Sequence, residues 1–111
     1  MIAEVMRLYH NPRCSKSRQA LNLLTERGID FEDYRYLDRG IHPDDVSVLS
    51  KLNGIIRLGD LEKGLEVNFD DESVVANLIQ QNPKILQRPI LVANGIAVIG
   101  RPPENVLTLL L

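Results

Sequence analysis

Apolar positions along the chain fall into short runs whose spacing changes character several times. Val5 to Tyr9 carries Val, Met, Leu and Tyr and stops at His10-Asn11-Pro12, where turn formers and a proline end extended structure, so a first strand is predicted there. From Cys14 onward Ala20, Leu21, Leu23 and Leu24 recur at helical spacing up to Gly28, a residue suited to the left-handed position just past a helix end. A helix is predicted over 14–27. Ile29 to Leu37 sets Phe31, Tyr34 and Tyr36 among charges between Gly28 and Gly40, which reads as a second strand.

Pro43 suits a helical first turn, with Asp44 and Asp45 at its positive end and Val46, Leu49 and Leu52 on one face, and this helix should end near Gly54. Residues 58–68 show no period and are expected to be irregular. Asp70 or Asp71 is expected to cap a helix with Val74, Val75, Leu78 and Ile79 inward, stopping by Asn82 because Pro83 disfavours helical geometry before it. Residues 89–93 and 96–99 form the two arms of a hairpin around Asn94-Gly95, and both arms are expected to be buried, central strands. After Gly100, Pro102 and Pro103 open a last helix with Val106, Leu107 and Leu110 inward. The order predicts an α/β domain with a mixed four-stranded sheet flanked by helices.

Length and composition narrow the function. The 111 residues, 44% hydrophobic, suit one domain over 1–111 with its own core. No apolar run approaches the roughly 18–20 residues of a membrane span, and Met1 to Leu8 lacks a signal-peptide pattern, so a soluble cytoplasmic protein without a membrane partner is expected. A net charge of −2 speaks against a nucleic-acid partner. A single cysteine permits no internal disulfide and excludes a multi-thiolate zinc site; no metal and no bound cofactor are expected, and any redox cycle needs an outside thiol.

That cysteine, Cys14, follows a strand-ending turn and opens a helix, where free N–H groups and the helix dipole stabilise a thiolate. Arg13, Lys16 and Arg18 add positive potential. Cys14-Ser15-Lys16-Ser17 has the shape of a C-x-x-C motif with serine in the second place; Ser17 could donate to the thiolate but cannot resolve a disulfide. A phosphatase-type C-x5-R loop is excluded, because Ala20 stands where the arginine is required.

The stretch Tyr9-His10-Asn11-Pro12-Arg13-Cys14-Ser15-Lys16-Ser17-Arg18 resembles the signature of the glutaredoxin-coupled arsenate reductase family, most closely its short bacterial subgroup with HNPRCSKSR. The likeness continues through Tyr36-Leu37, Asn82-Pro83, Arg88-Pro89-Ile90 and Gly100-Arg101-Pro102-Pro103. The resemblance implies a thioredoxin-like, glutaredoxin-type three-layer fold. It also implies a mechanism in which the Cys14 thiolate attacks arsenate, glutathione adds as co-substrate, and glutaredoxin completes reduction to arsenite. Arg57, Arg88 and Arg101 match the family's oxyanion-binding positions, and planar guanidinium groups suit that ligand. His10 matches a histidine that tunes the thiolate, and Pro89 matches the cis-proline facing the cysteine. His42 reads as an ordinary surface residue near a helix start. The segment before Arg57 is shortened against the family pattern, and Gly59 follows where the resemblance implies a longer helical stretch; longer members carry a C-terminal extension beyond the position of Leu111, which leads us to expect weak turnover with arsenate.

Two rival functions keep the fold. One is a glutathione-dependent thiol oxidoreductase acting on disulfides or another oxyanion. The other is a non-enzymatic regulator that binds RNA polymerase, as some thioredoxin-like proteins do; those often carry C-x-x-C, and Ser17 and the retained arginines speak against it.

Overall fold

The computed structural model describes residues 6–110. Val5, included in the predicted first strand, lies outside them. Strand β1 spans Arg7–Tyr9, helix α1 Ser15–Glu26, strand β2 Glu32–Tyr34, a single helical turn α2 Tyr36–Arg39, α3 Val46–Lys51, α4 Glu72–Gln81, and strands β3 Ile90–Ala93 and β4 Ile96–Ile99. A 3-10 helix, Pro103–Leu110, closes the chain. β1 pairs parallel with β2 and antiparallel with β3, which pairs antiparallel with β4, giving the order β2-β1-β3-β4. This is the mixed four-stranded sheet expected for a thioredoxin-like fold.

Alternation along the central strands builds the layers. Successive strand side chains point to opposite faces, so Leu8 and Leu91 join Ala20, Leu24 and Val106 under α1 and the C-terminal helix. Tyr9, Ile90 and Val92 point the other way, into a larger core with Leu49, Val75 and Ile79 of α3 and α4. Leu8, Leu24, Leu91 and Val106 are fully buried, and burial of such a side chain contributes about 1.5–3 kcal/mol.

Several boundaries moved. Helix α1 begins one residue after Cys14, which is its N-cap, and ends before Gly28, whose φ of 68° confirms the left-handed C-terminal position. The second strand is much shorter than 29–37. Phe31 and Tyr34 are three residues apart, so their spacing was never a strict alternation, and past Tyr34 the chain coils into α2, closed by the Gly40 N–H on the Tyr36 carbonyl at 2.8 Å. The predicted helix from Pro43 divides into a 3-10 turn, Pro43–Asp45, and α3. Residues 58–68 are irregular apart from a 3-10 turn at Leu58–Asp60, as expected. Asp71 caps α4 by accepting from the N–H groups of Ser73 and Val74. The hairpin turns at Asn94-Gly95, both at positive φ, but β4 is an edge strand and not a buried one: its Ile96 is 56% exposed, because only β3 flanks it. The last helix keeps its predicted inward face at Val106 while winding as 3-10.

Candidate active site

The turn between β1 and α1 is closed by its own hydrogen bonds. The Cys14 N–H donates to the Asn11 carbonyl at 3.0 Å, and the Arg13 N–H to the Asn11 side-chain oxygen at 3.0 Å. Ser17, fully buried in the first turn of α1, accepts from the Asn11 N–H at 2.9 Å and lies 2.7 Å from Nδ1 of His10. Burial, aided by Arg35 and Arg18 and opposed by Asp33, holds His10 below the usual imidazole range. The neutral ring and the Ser17 hydroxyl share one hydrogen bond, whose donor is set by the imidazole tautomer. The donation that Ser17 could make to the sulfur is not formed: its hydroxyl oxygen contacts His10 and Asn11 on the buried side of the loop. His10 acts on Cys14 only through this frame.

Cys14 itself is half-buried. Burial pushes its thiol up, and the opposing groups outweigh burial, so that the thiol lies below its usual range: the Ser17 N–H, Arg88, the Lys16 N–H and Arg101. No N–H of the first turn makes a hydrogen bond of good geometry to the sulfur, so these donors act on it as oriented dipoles. The cations that matter most are distant in sequence. The side chains of Arg13, Lys16 and Arg18, expected to supply the potential, are exposed; Arg18 Nη1 instead binds the Pro12 carbonyl at 2.8 Å.

Arg101 Nη2 approaches Cys14 Sγ to 3.7 Å, and its Nε donates to the Arg88 carbonyl at 2.9 Å. This juxtaposition depends on Gly100. Its N–H donates to the Pro89 carbonyl at 2.8 Å, and a Cβ there would meet Pro89 Cγ at 2.7 Å, closer than side-chain carbons approach. The Arg88–Pro89 bond is cis as expected, and so is Arg101–Pro102. Arg57 is anchored by its N–H on the Ile85 carbonyl at 2.7 Å. Asp60 lies between two of the three cations, with its carboxylate 3.6 Å from Arg57 Nη1 and 3.6 Å from Arg88 Nη1. Arg88 and Arg101 thus meet at the sulfur, while Arg57 faces Arg88 across Asp60.

His42, expected to be an ordinary surface residue, is partly buried: it caps the Pro43–Asp45 turn by accepting from the Asp44 N–H and packs edge-on against Tyr34. Among the described residues, no cluster of His, Cys, Asp and Glu could hold a metal, and no helix is long and apolar enough to cross a membrane. A cleft of about 540 Å³ opens between α3 and the start of α4 and includes neither Cys14 nor any of the three arginines.

Residues 9–109 match the model of the ArsC family. The chain belongs to the ArsC family. It is 42% identical to an arsenate reductase of Neisseria meningitidis serogroup B, over 91% of this chain and 94% of that protein. It is 44% identical to the uncharacterized protein YfgD of Escherichia coli K12, over 92% and 93%. The solved structure of an arsenate reductase from Vibrio cholerae superposes with a TM-score of 0.76 at 30% identity, covering 96% of this chain and 98% of that one. The thioredoxin-like fold is thus shared with ArsC relatives.

Three residues of this candidate site escaped the sequence reading: Asn11 as the loop's internal brace, Asp60 and Gly100. Asn11 and Gly100 stand inside quoted motifs, and a glycine just ahead of Arg101-Pro102-Pro103 was the available signal for a close approach. Nothing in the sequence pointed to Asp60.

Proposed function

We infer that this chain reduces arsenate to arsenite with glutathione and glutaredoxin. The observation that carries the reading is the approach of Arg101 Nη2 to Cys14 Sγ at 3.7 Å, at a helix N-terminus and with Arg88 alongside. A thiolate and guanidinium donors at one place suit attack on an oxyanion: the donors hold the oxygens while the sulfur reaches the central atom. The names of the relatives support arsenate as that oxyanion.

In this reading the Cys14 thiolate forms a sulfur–arsenic bond and one arsenate oxygen leaves as water. Cys14 has no second cysteine to reduce it, since it is the only one in the chain. Glutathione therefore supplies the second thiol. Arsenic takes two electrons and leaves as arsenite, two sulfurs become a mixed disulfide of Cys14 and glutathione, and glutaredoxin returns Cys14 to the thiol.

The test is arsenate-dependent NADPH oxidation through glutathione reductase, with glutathione and with or without glutaredoxin. We expect turnover that requires both and that falls to background in Cys14→Ser. Activity retained by Cys14→Ser, or none in the wild type, rejects the reading. Reduction of a glutathione mixed disulfide without arsenate turnover would replace it with a thiol oxidoreductase of other substrate.

A further inference from the structure

The chain's three tyrosines belong to one core, and two of them, Tyr9 and Tyr36, are fully buried. Their hydroxyls are treated in opposite ways. Tyr9 donates to Asp45 Oδ2 at 2.6 Å and accepts from the His42 N–H at 3.1 Å. The Tyr36 hydroxyl has no hydrogen-bond partner among the described residues. A phenylalanine would avoid the cost of an unpaired buried hydroxyl, so a tyrosine here points to a partner other than the described residues.

Its surroundings identify that partner's chemistry. Burial raises the Tyr36 phenol above its usual range, so it stays a neutral donor; the groups that act on it electrostatically after burial are Arg88, Cys14, Asn11 and Arg57. Asn11 lies beside the hydroxyl without hydrogen-bond geometry, and its side-chain oxygen already accepts from the Arg13 N–H. The second buried side-chain atom without a partner among the described residues is Nε of Arg88. Two donors, one neutral and one cationic, thus lie near the reactive sulfur without an acceptor. A ligand presenting several oxygens would serve both.

We propose that the Tyr36 hydroxyl and the Arg88 Nε–H are paired donors to the core-facing oxygen of a bound tetrahedral oxyanion. This rests on the reading of Cys14 and the arginines as an oxyanion site. Both donor atoms are closed to solvent, so the oxyanion meets them as the Arg88 guanidinium shifts. The contact restraining that group at Nη1 is the 3.6 Å approach to Asp60, longer than a hydrogen bond and replaceable by a more highly charged anion.

The experiment compares wild type, Tyr36→Phe and Tyr34→Phe, the last from the same core but facing Arg39. Affinity for sulfate and for arsenate is read as protection of Cys14 from alkylation by iodoacetamide, and the melting temperature is taken without oxyanion. Tyr36→Phe should bind both anions about tenfold more weakly, the weight of one hydrogen bond to a charged ligand, and melt at the same temperature or higher. Tyr34→Phe should bind as wild type does. Unchanged affinity in Tyr36→Phe overturns the proposal, as does a lower melting temperature without oxyanion, which would reveal a structural bond. Wild type that binds sulfate and arsenate yet reduces no arsenate rejects the reductase reading while the Tyr36 assignment stands. Wild type that binds neither anion overturns both.

Discussion

On one side of Cys14 the supporting groups come from the same short stretch of chain, and on the other they arrive from its far end. The cysteine loop closes on itself through Asn11, Ser17 and His10, with the bonds among these buried groups at 2.7 and 2.9 Å. The arginine side is joined by one strong contact, Arg101 to the Arg88 carbonyl at 2.9 Å, and by longer approaches of 3.6 to 3.7 Å to Asp60 and the sulfur. Each side has the property its task requires. A nucleophile must be held in one geometry, so its frame is saturated with partners; an anion site must have donors to give, so its guanidinium groups are only partly engaged.

The comparison breaks most visibly at Arg101 and Arg88. Lysine keeps the charge but loses the fork that reaches sulfur, backbone and ligand together. Arg101→Lys and Arg88→Lys should each lower kcat/KM for arsenate about 10- to 100-fold, the worth of one charge-assisted hydrogen bond. The rate of iodoacetamide alkylation of Cys14 should also need a higher pH, because both arginines help hold the thiol low. Arg57→Lys should cost less, since Arg57 reaches the site through its 3.6 Å approach to Asp60, which also faces Arg88. Equal losses at all three positions would mean that Arg57 also reaches the ligand directly.

The other side is tested by Ser17→Ala, which leaves the Asn11 N–H and His10 Nδ1 buried and unpaired. We expect a loss of about 2 kcal/mol in urea denaturation and a smaller fall in thiol reactivity than either arginine variant shows, because the N–H groups facing the sulfur remain. A large loss of reactivity with unchanged stability would return the Ser17 hydroxyl to the sulfur.

The same division separates what was legible in the sequence from what was not. The cysteine loop, Gly28, a helix cap at Asp70 or Asp71 and the Asn94-Gly95 turn were readable because each is specified within a few residues. The arginines were reachable only through resemblance, since no spacing links positions 57, 88 and 101 before the fold does. Where local patterns misled, a longer-range cause explains it: β4 is as apolar as β3, yet sheet order makes it an edge. Tyr36 looked like a strand aromatic, and only burial beside Arg88 and Cys14 distinguishes its hydroxyl from that of Tyr9.

A milder test of the saturated frame uses pH. Burial keeps His10 neutral in the folded chain, whereas in the unfolded chain it titrates near about 6.5. Below that pH the unfolded state binds a proton that the native loop rejects, so stability should fall as pH drops through about 6.5 and level off beneath the folded pKa. One group can contribute a slope of at most about 1.4 kcal/mol per pH unit. His10→Asn should flatten the wild-type decline between about pH 7.5 and 5 in urea titrations; an unaltered slope would place the titrating group elsewhere.

The smallest effect, and the one that sharpens the comparison furthest, belongs to Asp60. Its carboxylate is about one-third exposed and lies between Arg57 and Arg88 without a close hydrogen bond to either. Exposed pairs of this kind contribute at most about 1 kcal/mol, so Asp60 cannot be what holds the arginines in place. Toward an incoming oxyanion it is a like charge beside the two cations. Asp60→Asn should therefore tighten sulfate binding by up to about fivefold, with little change in melting temperature, and the gain should shrink as salt screens the repulsion. Weaker binding in Asp60→Asn would mean that the carboxylate aims the guanidinium groups, and the arginine side would then be organised by a fixed frame as the cysteine loop is.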